Sequence, residues 1–210
     1  MSAVDSRFLE NVGEWDMSSA CAVAGARAAV IQTEDFTAGA AGWISSGSLV
    51  MTATNRTLQG AFAAQGFPMP ESGSLAATNT SSDGAFAGNY PAAGIQLVGF
   101  SFMARDVLPS AALVRWTGKS ASFFRSFASA ITQTGVWYRL AFSLRSKEAG
   151  NWIGGTARAF EEGLAEVRSL EIQLTRTGMA AQRYELDDVF VDALPAGACV
   201  HSNNGTQVLW

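Results

Sequence analysis

Between residues 137 and 192 the chain alternates apolar and polar side chains in three separate runs. Tyr138, Leu140, Phe142 and Leu144 are interleaved with Trp137, Arg139, Ala141, Ser143 and Arg145. Leu170, Ile172 and Leu174 are interleaved with Glu171, Gln173 and Thr175. The third run, Tyr184 to Asp192, sets two adjacent carboxylates, Asp187 and Asp188, ahead of Val189-Phe190-Val191. A period of two is that of a strand with one face in a core and the other in water. The runs therefore read as the closing strands of a β-sandwich, with Glu171 and Gln173 on an outer surface.

With 210 residues, 48% of them apolar, the chain can bury a sizeable all-β core. Only 15% are charged, below the roughly 25% usual in soluble domains. Lys119 and Lys147 are the only lysines, so arginine does almost all the cationic work. A net charge of −4 argues against nucleic acid, which calls for a basic stripe. Asp5, Glu10, Glu14 and Asp16 stand where the basic region of a secretory signal would lie. The apolar run Ala20 to Ile31 contains Arg27 and is too short to span a bilayer, so no membrane insertion is expected. Cys21 and Cys199 lie near opposite ends; they either form a staple in an oxidising compartment or stay free thiols.

The chain divides into an N-terminal arm (1–29), a sandwich (30–194) and a C-terminal tail (195–210) opened by Pro195 and Gly197. Strands are expected at 28–33, 48–54, 74–79, 94–105, 111–117, 122–127, 136–145, 169–177 and 183–193, punctuated by turn residues. A change of phase near Gly99 suggests a bulge there. One helical turn is expected within 159–167, with Gly163 weakening anything longer.

The order of several short pieces resembles the galactose-binding-like jelly rolls, the fold of many carbohydrate-binding modules. These are Glu34-Asp35-Phe36 with Gly42-Trp43, Gly94-Ile95-Gln96-Leu97, Gly135-Val136-Trp137-Tyr138, Trp152, Phe160 with Leu164, Leu170-Glu171-Ile172 and Leu186-Asp187-Asp188-Val189. The resemblance implies an antiparallel two-sheet sandwich over residues 31–192. It further implies a structural calcium held by Asp35 (or Glu34), Asp187 and Asp188, with Asp83 from a loop, since a hard cation needs six to eight oxygens. An alternative for the Asp187-Asp188 pair is one outward carboxylate and one paired with an arginine such as Arg183.

Catalytic constellations are missing from the sequence. His201, the single histidine, lies in the tail, where it would be a poorly held base. No Cys/His spacing suits zinc. Gly118-Lys119-Ser120 lacks the earlier glycine of a phosphate-binding loop, because Leu113 occupies that position; it reads as a turn between strands. Asp187, Asp188 and Glu185 crowd one strand without an opposed acid for glycoside hydrolysis. Of the aromatic residues that could stack on a sugar ring, Trp137 is out of phase with its core neighbours, while Trp43, Trp116, Trp152 and most phenylalanines suit the core.

Two functions fit. The first is a non-enzymatic subunit mounted on a larger assembly such as a virion or surface layer, at a particle or cell exterior. There Phe8, Leu9, Trp15, Val208 and Trp210 of the arms would bury against protein neighbours or further copies of the chain. The second is a glycan-binding module using Trp137, Arg139, Glu171 and Gln173 as a platform. The arms favour the first.

Overall fold

The computed structural model describes residues 30–54 and 56–193, together with two short strands at 202–203 and 206–207. Two antiparallel sheets face each other. The smaller holds β2 (Ile44–Gly47), β5 (Ser72–Thr78), β7 (Ala111–Thr117), β8 (Ser122–Ser126) and β10 (Ser169–Thr175), in the order β2-β5-β10-β7-β8. The larger holds β1 (Val30–Glu34), β3 (Val50–Thr54), β4 (Thr57–Phe62), β6 (Leu97–Ala104), β9 (Tyr138–Ser143), β11 (Gln182–Asp192), β12 (Ser202–Asn203) and β13 (Thr206–Gln207). Its order is β12-β13-β9-β6-β11-β4-β3, with β1 beside the second half of β11. Successive strands cross repeatedly between sheets, as from β5 to β6 to β7 and from β9 to β10 to β11. This is the β-sandwich expected from the alternation, with the jelly-roll crossings that the resemblance implies.

The inner faces are the apolar phases of the runs. Leu170, Ile172 and Leu174 of β10 and Val114 and Trp116 of β7 are buried against Phe100 and Phe102 of β6 and Tyr184, Leu186 and Val189 of β11. Trp116 is the hub of one aromatic cluster: it stacks on Phe123 at 4.7 Å and meets Phe160 edge-on at 5.1 Å and Trp152 at 6.4 Å. Removing one such side chain costs about 3–5 kcal/mol. At the opening of the sandwich Phe36 and Trp43 pack edge to face at 5.5 Å.

The helix α1 (Ala157–Leu164) begins earlier than the pattern suggests because Thr156 caps it, its Oγ1 accepting from the Ala159 N–H at 3.1 Å. Phe160 and Leu164 point into the core. Gly163 is required rather than disruptive: a Cβ there would meet the Trp116 ring at 3.0 Å, and one on Gly118 would meet the Gly163 backbone at 2.6 Å. The Gly118-Lys119-Ser120 segment is the turn between β7 and β8, as expected.

Three features depart from the sequence pattern. Strands β2 and β4 escape it because Ile44-Ser45-Ser46-Gly47 and Thr57-Leu58-Gln59-Gly60 carry few β-branched residues; Gly60 makes room for Leu49, whose Cδ2 would lie 2.8 Å from a Cβ. The bulge falls on β11, between Asp187 and Phe190, and Asp188 takes φ 45° there. Gly99 keeps regular register with β9. The apparent phase change at Gly99 arises because Leu97 is buried on the outer side of the sheet with Ala141 and Phe190, and the Phe190 ring occupies the space a Gly99 Cβ would need.

Arg176 ties two loops at one end of the sandwich. Its side chain is 1% exposed, 2.9 Å from Glu71, and it donates to the carbonyls of Ala63, Gly178 and Ala180 at 2.9, 3.0 and 2.9 Å. Truncating one partner of a buried, hydrogen-bonded ion pair costs about 3–5 kcal/mol. Arg176→Leu is expected to lower stability by that amount in urea unfolding followed by tryptophan fluorescence. A loss below about 1 kcal/mol would show that the tie contributes little.

Candidate functional site

The phase that buries Leu170, Ile172 and Leu174 sends Glu171 and Gln173 to the opposite side of β10. Strand register then decides their neighbours. Across the outer face of the smaller sheet runs one row of directly opposed residues: Ile44, Ala76, Glu171, Arg115, Phe124 and, by an isolated bridge to β8, Ile153. Opposed residues on antiparallel strands project to the same side and touch. With strands about 4.8 Å apart, the row spans on the order of 24 Å. A second row beside it carries Ser46, Ser74, Gln173, Leu113 and Ser126.

The centre of the first row is an ion pair. Arg115 donates through Nε to Glu171 Oε2 at 3.1 Å and through Nη2 to the same oxygen, and Ser169 Oγ donates to Oε1 at 3.0 Å. The side chain of Glu171 is 12% exposed and that of Arg115 38%. Ser74 and Ala76 are also buried, although they point away from the core, whereas Ile44 and Ile153 at the two edges are 53% and 57% exposed. The middle of the face is thus withdrawn from solvent and its rims are open. Hydroxyl pairs surround it: Ser46 with Ser74 at 2.7 Å, Ser72 with Thr175 at 2.8 Å and Thr117 with Ser122 at 2.9 Å. Such a surface offers donors, acceptors and apolar contacts together, the mix that orients a polar small ligand.

The four platform residues expected from sequence do not meet. Glu171 and Gln173 lie on the smaller sheet, whereas Trp137 and Arg139 lie at β9 of the larger sheet, on the opposite side of the sandwich. The expectation fails because β9 and β10 belong to different sheets. Trp137 is 42% exposed, as its phase suggests. Arg139 lies over the Phe190 ring at 4.8 Å and 3.6 Å from Asp188. Arg115, Leu113, Ile44 and Ile153 are the residues the sequence reading missed, and Phe124, grouped there with the aromatic residues suited to the core, faces outward instead. A signal existed for Arg115: it is out of phase with Ala112, Val114 and Trp116, as Glu171 is with its neighbours, and opposite charges favour cross-strand pairing.

The acids named for calcium do not form a cage. Among the described residues no three His, Cys, Asp or Glu side chains are grouped as a metal site requires. Glu34 accepts from the Phe36 N–H at 2.8 Å, and Asp35 accepts from the Thr37 N–H and hydroxyl at 3.0 and 2.7 Å. Asp187 accepts from the Asp188 N–H at 2.7 Å, and Asp188 is paired with Arg139 rather than Arg183, which binds Asp106. Asp83 is exposed in the turn Ser81–Gly84. Glu34, Asp35, Asp187 and Asp188 are thus engaged locally, and the described carboxylates alone do not assemble the six to eight oxygens that a calcium requires. The cysteines Cys21 and Cys199, His201 and the arm residues Phe8, Leu9, Trp15, Val208 and Trp210 lie outside the described residues. No described helix is long and apolar enough to cross a membrane.

Comparison with known proteins places the fold. No family model and no curated protein sequence matches the chain. Among solved structures, PfGH50B superposes with a TM-score of 0.56 at 10% identity, over 81% of this chain and 24% of that one. An exo-β-agarase gives 0.51 at 10% identity, over 82% of this chain and 25% of that one. A carbohydrate-binding module of the β-sandwich superfamily, described for promiscuous specificity, gives 0.47 at 12% identity, over 80% of this chain and 62% of that one. The chain therefore spans less than two thirds of these chains, and about a quarter of the first two. The likeness is one of fold alone: an antiparallel two-sheet jelly-roll sandwich.

Burial, then the negative charges of Asp188 and Asp35, push the Asp187 carboxyl above its ordinary value of 3.8. A raised carboxyl gives stability that is complete below its unfolded value and is lost as pH rises through the folded one. Asp187→Asn, which keeps the acceptor, is expected to raise Tm at neutral pH in a chelating buffer. The gain should vanish near about pH 3, where wild type is also neutral. A variant that melts lower than wild type at neutral pH would contradict this account of Asp187.

Proposed function

We propose that the protein is a carbohydrate-binding module that lays a glycan across the outer face of its five-stranded sheet. The observation that carries this reading is the row from Ile44 to Ile153, with the Arg115–Glu171 pair at its centre and Gln173 beside it. Guanidinium, carboxylate and carboxamide groups are planar and multiply hydrogen bonding, so each can engage two adjacent hydroxyls of a sugar. Phe124 and Leu113 supply apolar surface for the C–H side of a pyranose. Open rims let a chain enter over Ile44 and leave over Ile153.

The fold supports the reading, since part of an exo-β-agarase shares it. Fold alone does not assign function, so the weight rests on the face. The alternative of a subunit mounted on a particle draws on the arms, residues 1–29 and 195–210, and no described contact favours it. The module acts by binding, without turnover, and its site of action is wherever extracellular polysaccharide is found.

Affinity electrophoresis in gels cast with soluble polysaccharides tests this directly. Wild type should be retarded by at least one polymer. Phe124→Ala and Gln173→Ala should each weaken retardation by about tenfold, equivalent to about 1.4 kcal/mol. Trp137→Ala, on the opposite side, should leave it unchanged. Free migration of wild type through every polymer, or loss of retardation with Trp137→Ala alone, would sink the proposal.

A further inference from the structure

We infer that the Arg115–Glu171 pair acts as a charge lock, making the outer face of the five-stranded sheet selective for neutral glycans over acidic ones. This rests on reading that face as the glycan-binding surface.

The argument is a charge inventory. Among the outward side chains of β2, β5, β7, β8 and β10, Arg115 and Glu171 are the only charged ones. Arg125 of β8 is turned inward and buried, donating to the Gly150 carbonyl at 2.8 Å. The pair cancels itself, with both Nε and Nη2 of Arg115 directed at Glu171 Oε2. Charges just beyond the ends of β10 are paired as well, although two cations share one carboxylate at the first end and leave a single exposed positive charge there. Arg168 and Lys119 flank Glu166 at one end, and Arg176 holds Glu71 at the other. The polar groups that a glycan resting here meets are hydroxyls, one carboxamide and one neutralised ion pair.

Sulfate or uronate groups on the glycan change the balance. Their charge would be desolvated beside Glu171, with the nearest outward cation already committed to that carboxylate. The net charge of −4 adds long-range repulsion. A neutral glycan brings only hydroxyls, which donate to Glu171 and Gln173 and accept from Arg115 without any uncompensated charge. Selectivity then comes from the repulsive partner as much as from the attractive one. Removing Glu171's charge should open the lock, because Arg115 then faces the ligand as a free guanidinium, the best side chain for planar anions.

The experiment compares polymers and variants in the same gels. Neutral probes are mixed-linkage β-glucan and agarose; acidic probes are alginate and κ-carrageenan. Wild type is expected to be retarded at least about tenfold more strongly by a neutral polymer than by either acidic one. Glu171→Gln should gain retardation by an acidic polymer at about 20 mM salt and lose it at about 300 mM, where screening shortens the reach of a single charge. The double variant Arg115→Gln with Glu171→Gln should lose that gain. Wild type retarded by acidic polymers as strongly as by neutral ones would overturn the lock while leaving glycan binding intact. A folded Glu171→Gln, checked by circular dichroism, that gains nothing would also overturn it. Retardation by no polymer would overturn the glycan reading itself. The wild-type ranking needs no variant, so it stands even if Glu171→Gln fails to fold.

Discussion

Burial of Trp116 is the constraint on which the outer face of the five-stranded sheet depends. Stacked on Phe123 at 4.7 Å and closed from the side by Phe160, its ring cannot leave the core without opening a large cavity. That fixes the phase of β7. Because side chains alternate along a strand, fixing Trp116 inward fixes Arg115 outward. The same logic runs through β10, where Leu170 and Ile172 bracket Glu171. The ion pair is thus a by-product of two apolar stripes brought into register, and its geometry is as rigid as the core beneath it.

Much of this was legible in the sequence. The alternation in residues 137–192 is strong because each run buries one face fully, and the inner residues of β9, β10 and β11 are those the period marks. Glu171 and Gln173 were visible for the same reason. What a period of two cannot show is which strand lies beside which. Arg139 and Arg115 are both out of phase with their apolar neighbours, and only sheet order separates the arginine beside Glu171 from the one across the sandwich. Strands β2 and β4 were silent because glycine and serine, there to admit Leu49 and to line the face, carry no β-branched signature. The phase change at Gly99 reflects Leu97 buried on the outer side, while the true bulge, at Asp188 on the partner strand, leaves no mark in the pattern of β6.

The two outer faces of the sandwich are built differently. On the larger sheet the charges are bulky and varied: Arg139 with Asp188, Arg105 with Glu185, Arg183 with Asp106. Arg139–Asp188 and Arg183–Asp106 are largely exposed, stabilise little and keep the surface hydrated, while Glu185 is 7% exposed beneath Arg105. On the smaller sheet serine, threonine and alanine dominate, and one sheltered pair stands alone. The low charge content of the chain, 15%, is most marked in this one face. That asymmetry is the ground on which a glycan-binding role is proposed for the smaller sheet and not for the larger.

The far rim of that face is not part of a strand. Ile153 hangs from one backbone bridge to Phe124, on a loop whose Trp152 donates to the Ser143 carbonyl at 2.7 Å and inserts its ring in the core. An anchored loop of this kind can change length or composition ahead of its anchor while the sandwich stays as it is. Relatives diverging from this chain could therefore trade one reach for another at that margin, and the scaffold would register no difference.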